Sequence, residues 1–194
     1  AYIWSNGTTT SSTSVTASGS YTVTVTNTEG CNDAESMPVT VNPLPTAMIT
    51  PNGPTTFCQG GSVMLTASGG TGYHWSNGAT TSAITVTSGG NYAVTVTNAA
   101  GCNDTESIPV TVNPLPTAVI TPNGPTTFCQ GGSVMLTASG GTGYLWSNTA
   151  TTVSISVTSG GNYAVTVTNT EGCNDAESIP VTVKTLPTLS LIHI

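Results

Sequence analysis

The chain has 194 residues, one lysine, no arginine and eight carboxylates, which gives a formal net charge of −7 at pH 7. A nucleic-acid-binding protein presents a cationic surface that displaces counterions, so this charge excludes that class. No apolar run reaches the roughly 18 residues that a membrane-spanning helix needs, which argues against membrane insertion. Only 5% of the residues are charged, so hydroxyl and amide groups must keep the surface polar.

The sequence repeats itself every 71 residues, because Trp4, Trp75 and Trp146 keep this step and so do three of the five cysteines. Residues 46–116 and 117–187 differ at 11 of 71 positions, with no insertion or deletion. We therefore predict a partial repeat over 1–45, complete repeats over 46–116 and 117–188, and a non-native tail over 189–194. These are called the first, second and third repeats below.

Both ends of the sequence depart from the repeat. Ala1 aligns with Gly72, so the first repeat has no counterpart of Thr46–Thr71, which we interpret as truncation. The last six residues, LSLIHI, continue no repeat and resemble translated sequencing-adapter sequence. We leave them out of the fold prediction.

Within the second repeat, short alternating segments follow one another between turn signals. They are TAMITP, SVMLTAS, GYHWSNG, SAITVTS, GGNYAVTVTN and SIPVTVN. No segment has helical periodicity, and Asn77-Gly78 is a strong hairpin-turn dipeptide. Six or seven short strands at this spacing predict an all-β sandwich in each repeat. The aromatic residues expected in its core are Trp75, Trp146, Tyr92 and Tyr163.

Prolines mark two further features of the repeat. NPLP at residues 42–45 and 113–116 predicts short, stiff, extended linkers between the repeats. The third repeat has KTLP there instead, which predicts a looser joint. Pro109 lies within the last predicted strand and cannot donate to a ladder, so that strand should run at a sheet edge or bulge there.

The cysteines allow two pairings. Within a repeat, Cys58 would bond Cys102 and Cys129 would bond Cys173, which leaves Cys31 unpaired by truncation. Across a junction, Cys31 would bond Cys58 and Cys102 would bond Cys129. The first pairing is preferred, because the two cysteines flank strands that face each other across a sandwich. Either pairing would staple a small core and implies an oxidising environment.

The motifs also resemble a known family. CQGGSVMLTASGGTGYHWSNG, NYAVTVTN, GCND and NPLP are similar to the immunoglobulin-like (Ig-like) repeats of large secreted and cell-surface proteins of the Bacteroidetes, and more distantly to PKD-type domains. The resemblance covers nearly the whole chain. It implies tandem Ig-like sandwiches and export to the cell surface, often by the type IX system with a separate sorting domain. It implies no catalytic residues.

Few residues are candidates for chemistry. His74 is replaced by Ile3 and Leu145 in the other repeats, so a catalytic or metal-binding role is not expected. All eight carboxylates follow the tyrosine strand, where paired oxygens are weak candidates for Ca²⁺ ligands. These candidates are Asp104, Glu106, Asp175 and Glu177. An acidic, solvated hairpin is the preferred interpretation, so we predict no cofactor and no enzyme activity.

The sequence therefore predicts a spacer or adhesive stalk segment of a large extracellular bacterial surface protein. Its first partners would be the neighbouring repeats of the same chain. One alternative is a module that binds an extracellular glycan or a surface protein, for which exposed Tyr73 and Trp75 would supply stacking surfaces. The other is an accessory region of a secreted hydrolase.

Overall fold

The structure is a computed structural model that describes residues 1–187. The predicted tail at 189–194 lies outside the described residues. Every regular element in residues 1–187 is a β-strand, and no helix there is available to cross a membrane.

The strands recur with the sequence repeat. The first repeat contains β1 (Tyr2–Trp4), β2 (Gly19–Thr26) and β3 (Asn32–Val39). The second contains β4 (Met48–Pro51), β5 (Thr56–Cys58), β6 (Val63–Ser68), β7 (Gly72–Trp75), β8 (Ala83–Val86), β9 (Gly90–Thr97) and β10 (Asn103–Asn113). The third contains β11 (Val119–Pro122), β12 (Thr127–Cys129), β13 (Val134–Ser139), β14 (Gly143–Trp146), β15 (Ser154–Val157), β16 (Gly161–Thr168) and β17 (Asn174–Lys184).

Each complete repeat has two sheets. In the third repeat, β11, β13 and β15 form a three-stranded sheet, and the other sheet has the order β12-β17-β16-β14. The second repeat repeats these orders as β4-β6-β8 and β5-β10-β9-β7. All pairs in the third repeat are antiparallel except β12 with β17, which is parallel. The predicted all-β fold is confirmed.

The core of the third repeat lies between its two sheets. β13 alternates, with Val134, Leu136 and Ala138 buried while the residues between them face outward, as the pleat requires. Val165 and Val167 of β16 are fully buried and belong to the same cluster. The other members are Ala118, Trp146, Ile155, Val157 and Val181.

The last strand explains how a proline fits within a ladder. Pro180, the third-repeat counterpart of Pro109, is in register with Asn162 of β16. Two residues later, the Thr182 N–H donates to the Thr126 carbonyl on the opposite side, at 2.8 Å. Pro180 faces that same side, but β12 pairs only with residues 182–184. The missing N–H therefore lies at an uncovered edge, as the sequence predicted.

The first repeat has a single described sheet, in the order β1-β2-β3. Val25 of β2 is 42% exposed and Met37 of β3 is 67% exposed. Trp4 of β1 is only partly buried, although its indole N–H still donates to the Thr10 carbonyl at 2.9 Å. These residues lack the burial that their counterparts have in the complete repeats.

By its internal contacts the chain divides into two compact units. One comprises Ala1–Ile49, Ala67–Ser82 and Ala93–Ser107, and so contains the first linker. The other comprises Thr50–Thr66, Ala83–Tyr92 and the chain from Ile108, and so contains the second linker. Each unit therefore includes one complete repeat junction.

Candidate functional site: the repeat junction

The two tryptophans proposed for the core are buried. Trp75 is 0% exposed and Trp146 is 2% exposed. Each indole N–H donates to a backbone carbonyl six residues ahead, at 2.9 Å, so the one polar atom of the ring is satisfied. Neither ring face is available to stack on a sugar.

The tyrosines lie nearer the surface. Tyr92 and Tyr163 are partly buried, and Tyr163 packs against the core cluster of its repeat. Their hydroxyls donate to the carbonyls of Ser88 and Ser159, four residues earlier, at 3.0 and 3.1 Å. Each hydroxyl thus ties its strand to the loop that precedes it. Tyr73, the other proposed stacking residue, is also partly buried, and its hydroxyl donates to the Gly70 carbonyl at 2.9 Å.

The acidic residues lie on the first half of the last strand, within β10 and β17, and not in the turn before it. Two of them bind the linker. The Ala47 N–H donates to Asp104 Oδ2 at 2.8 Å, and the Ala118 N–H donates to Asp175 Oδ2 at 2.9 Å. Ala47 and Ala118 are buried and start their repeats just after the linker. These carboxylates therefore fix the point where the chain enters each sandwich.

The other two calcium candidates do not join them. Glu106 and Glu177 are exposed, and the Ser178 N–H donates to Glu177 Oε1 at 3.1 Å. Within residues 1–187 no three His, Cys, Asp or Glu side chains come together as a metal site would require. The geometry assigns Asp104 and Asp175 a backbone-binding role instead.

An asparagine in the hairpin before each last strand holds the linker. Asn98 Nδ2 donates to the Pro43 carbonyl at 2.8 Å, and Asn169 Nδ2 donates to the Pro114 carbonyl at 3.0 Å. The Oδ1 of each asparagine accepts the N–H of the hairpin cysteine, Cys102 or Cys173, at 3.0 and 2.9 Å. One side chain thus shapes the hairpin and binds the proline segment.

A glycine allows the chain after the linker to approach the sandwich closely. Gly140 has φ 106°, and a Cβ at this position would overlap the carbonyl oxygen of Thr117. Gly69 and Thr46 repeat this arrangement in the second repeat. The glycine-rich TASGG segment is therefore a contact surface for the backbone of the incoming chain.

The second junction is closed by a disulfide bond between Cys58 and Cys173, whose Cα atoms are 5.6 Å apart. Cys58 is in parallel register with Asn113, the residue that begins the linker. Cys173 is held by Asn169, which binds the next linker residue, Pro114. The bond therefore joins the end of the second repeat to the hairpin of the third.

This bond shows that the preferred cysteine pairing, Cys58 with Cys102 and Cys129 with Cys173, is wrong. Cys102 and Cys129 are free, as is Cys31, so the alternative pairing across the junction is also wrong.

The third repeat gives the physical reason. Cys129 is in register with Lys184 at the end of β17, and Cys173 immediately precedes the start of that strand. The two ends of an 11-residue strand lie about 33 Å apart, whereas bonded cysteines need Cα atoms within about 7 Å. The cysteines flank facing strands at opposite ends of the sandwich, so they cannot meet within one repeat.

The sequence interpretation did not identify Asn98, Asn169, Gly69 or Gly140. Their signal was present in the 71-residue period, because each asparagine stands four residues before a hairpin cysteine in every repeat. Nothing in that spacing showed that the amide would reach the linker, which is about 55 residues away in sequence.

No protein-family model matches the chain, and no curated protein matches it. Solved structures do. The N-terminal eight Ig domains of Down Syndrome Cell Adhesion Molecule match at 19% identity and TM-score 0.49, over 87% of this chain and 28% of that chain. Extracellular domains 3-5 of Drosophila OTK match at 16% identity and TM-score 0.41, over 87% and 72%.

A further match is a Ca²⁺-stabilised adhesin with which an Antarctic bacterium reaches out and binds ice, at 16% identity and TM-score 0.43, over 89% of this chain and 58% of that chain. At these identities the likeness concerns the fold. Together with the paired sheets of each complete repeat, it describes this chain as an all-β protein of tandem Ig-like repeats.

Proposed function

We propose that this chain is a load-bearing spacer, a stalk segment within a large extracellular bacterial surface protein of the Bacteroidetes type. The junction carries the proposal. Three contacts recur there at the 71-residue step: the asparagine on the proline carbonyl, the aspartate on the alanine N–H, and the hairpin cysteine beside the linker. A chain built to hold distance needs joints of this kind.

The disulfide adds a mechanical property to the proposed stalk. Cys58 and Cys173 are 115 residues apart in sequence, so the bond offers tension a covalent route around two sandwiches. Residues between the two cysteines add nothing to the length of the chain while the bond is intact, even when they unfold. Such a bond also agrees with an extracellular, oxidising location, where disulfides persist.

A pulling experiment tests this proposal. The full chain, held by tags at its two termini in an optical trap, should unfold with a limited gain in length. Addition of a reductant should then release the 115-residue segment, a further gain of about 400 Å at about 3.5 Å per residue. Cys173→Ser should behave as the reduced chain does, and Cys31→Ser, at an exposed free thiol, as the oxidised one.

Equal extension with and without reductant would remove the mechanical basis of the proposal. The binding-module alternative is tested on the same chain, by its retention on immobilised polysaccharides. We expect none, because the tryptophan faces that would stack on sugars are buried. Specific retention that a soluble glycan reverses would favour the binding module instead.

A further inference from the structure

The last strand of the first repeat is shorter than its counterparts. β3 ends at Val39, whereas β10 and β17 continue for the equivalent of three more residues. Those extra residues are the ones that pair in parallel with Thr56–Cys58 and Thr127–Cys129. The first repeat has the same Thr-Val-Asn sequence at 40–42 as the second has at 111–113, and there it is exposed.

The backbone groups that bind the added strand are known from the complete repeats. The Thr111 N–H donates to the Thr55 carbonyl at 2.8 Å, and the Gln59 N–H donates to the Asn113 carbonyl at 2.8 Å. The third repeat has the same two bonds, at 2.8 and 2.9 Å. Their counterparts in the first repeat are the Thr40 N–H and the Asn42 carbonyl.

A thiol lies beside this edge. Cys102 Sγ is 3.9 Å from the Asn42 carbonyl oxygen. Asn42 is the counterpart of Asn113, the register partner of Cys58. Cys102 is the counterpart of Cys173, to which Cys58 is bonded. The thiol of Cys102 therefore lies where the cysteine of an added Thr-Phe-Cys strand would arrive.

We propose that residues 40–42 and Cys102 form an acceptor site for the Thr-Phe-Cys strand of another copy of this repeat. The strand adds in parallel to the edge of β3, and its cysteine forms a disulfide with Cys102. In an array, the TTFCQGG cysteine of each repeat then bonds the GCND cysteine of the next repeat. Cys129 is the donor of such a bond, and Cys31 and Cys102 are acceptors, which accounts for all three free thiols.

The bond can form by thiol–disulfide exchange. The Cys102 thiolate attacks the strand's cysteine when that cysteine is held in a mixed disulfide with a small thiol. One S–S bond breaks as another forms, the small thiol leaves as a thiolate, and there is no net oxidation. From two free thiols, a disulfide-bonded oxidant accepts the two electrons and two protons.

A peptide experiment on the full chain tests the site and does not depend on the stalk proposal. The probe is the synthetic peptide TTFCQGG, with the sequence of Thr55–Gly61, carried as its mixed disulfide with glutathione. Peptide mapping by mass spectrometry gives the rate at which Cys31, Cys102 and Cys129 each acquire it. We expect the partly buried Cys102 to react at least about tenfold faster with this peptide than with a scrambled one, because pairing raises the local concentration.

Oxidised glutathione alone supplies the control for intrinsic reactivity. It should label the exposed Cys31 and Cys129 ahead of Cys102. Thr40→Pro removes the N–H that the added strand would accept, so it should abolish the preference of TTFCQGG for Cys102. The same variant should leave the rate of Cys102 with oxidised glutathione unchanged.

The proposal is overturned if TTFCQGG and the scrambled peptide label the three cysteines in the same order and at the same rates. Labelling of Cys102 that is fast with both peptides would also overturn it, since the thiol would then be reactive without strand pairing. These outcomes require only the unmodified chain, so they hold even if Thr40→Pro disturbs the fold.

Discussion

The first and third copies of the tyrosine strand have nearly the same sequence but different surroundings. β2 reads GSYTVTVT and β16 reads GNYAVTVT. Val165 and Val167 of β16 are 0% exposed, while the counterpart of Val167, Val25, is 42% exposed. The alternation of apolar residues thus sets which face points inward, but the opposing sheet decides whether that face is buried.

In the third repeat the opposing sheet is β11-β13-β15, whose central strand contributes Val134, Leu136 and Ala138. The described part of the first repeat has only the sheet β1-β2-β3. The same strand sequence therefore serves as its own control, and substitutions at equivalent positions can separate the contribution of the sequence from that of packing.

The largest contrast is expected at the tryptophans. Trp146→Ala leaves a cavity at the centre of the third repeat and should lower its free energy of unfolding by about 3–5 kcal/mol. Trp4→Ala removes a side chain that is already partly exposed, so we expect a loss of no more than about 1 kcal/mol. Hydrogen exchange read by mass spectrometry gives both values repeat by repeat. Equal losses would show that the first repeat is packed as tightly as the third.

The disulfide gives the next contrast, between the two hairpin cysteines. Cys173→Ser opens a 115-residue loop and should cost about 2–4 kcal/mol in urea unfolding. Cys102→Ser, at a free thiol one repeat earlier, should change the unfolding midpoint little. A similar loss from both substitutions would contradict the bonding observed between Cys58 and Cys173. The reduced wild-type chain is the internal reference, since reduction should reproduce the effect of Cys173→Ser.

Local patterns predicted much of this fold. The alternation in SVMLTAS marks a strand with its inward residues, the recurring tryptophan marks the core, and Pro109 marks an uncovered edge. These features depend on neighbouring residues and on the pleat, which the sequence displays directly.

The junction could not be predicted in the same way. Its bond depends on β5, a strand of three residues that pairs in parallel with the end of β10, more than 50 residues later. So short a strand has no periodicity of its own to show its register. Once this register is known, Cys58 lies beside the linker and its partner must come from the next repeat. The same missing information concealed the roles of Asp104 and Asn98, whose contacts also span more than 50 residues.

A smaller effect is expected at the carboxylates. Asp175→Ala leaves the N–H of buried Ala118 without its acceptor, which should cost about 1–3 kcal/mol. Asp33 is the counterpart of Asp175 in the first repeat, but its Oδ1 accepts the N–H of its exposed neighbour, Ala34. Asp33→Ala should therefore cost only a few tenths of a kcal/mol, because water can replace the carboxylate.

Urea unfolding monitored by circular dichroism measures both aspartate variants. Protection of the Ala118 amide against hydrogen exchange gives a local test, because this amide should exchange faster in Asp175→Ala than in the wild type. An unchanged exchange rate would show that the carboxylate does not hold the linker.

The smallest effect concerns one turn that the repeats build with different residues. Gly78 and Thr149 occupy equivalent positions after the tryptophan strand, with φ 86° and 68°, and each donates its N–H to the preceding tryptophan carbonyl at 2.9 Å. A β-branched residue is strained in this left-handed region, whereas glycine is not. Thr149→Gly should therefore stabilise the third repeat by about 1 kcal/mol, and Gly78→Thr should destabilise the second by a similar amount. Thermal unfolding of the two variants and of the double exchange measures this directly. If the two changes shifted the melting temperature in the same direction, the two turns would not share one backbone geometry.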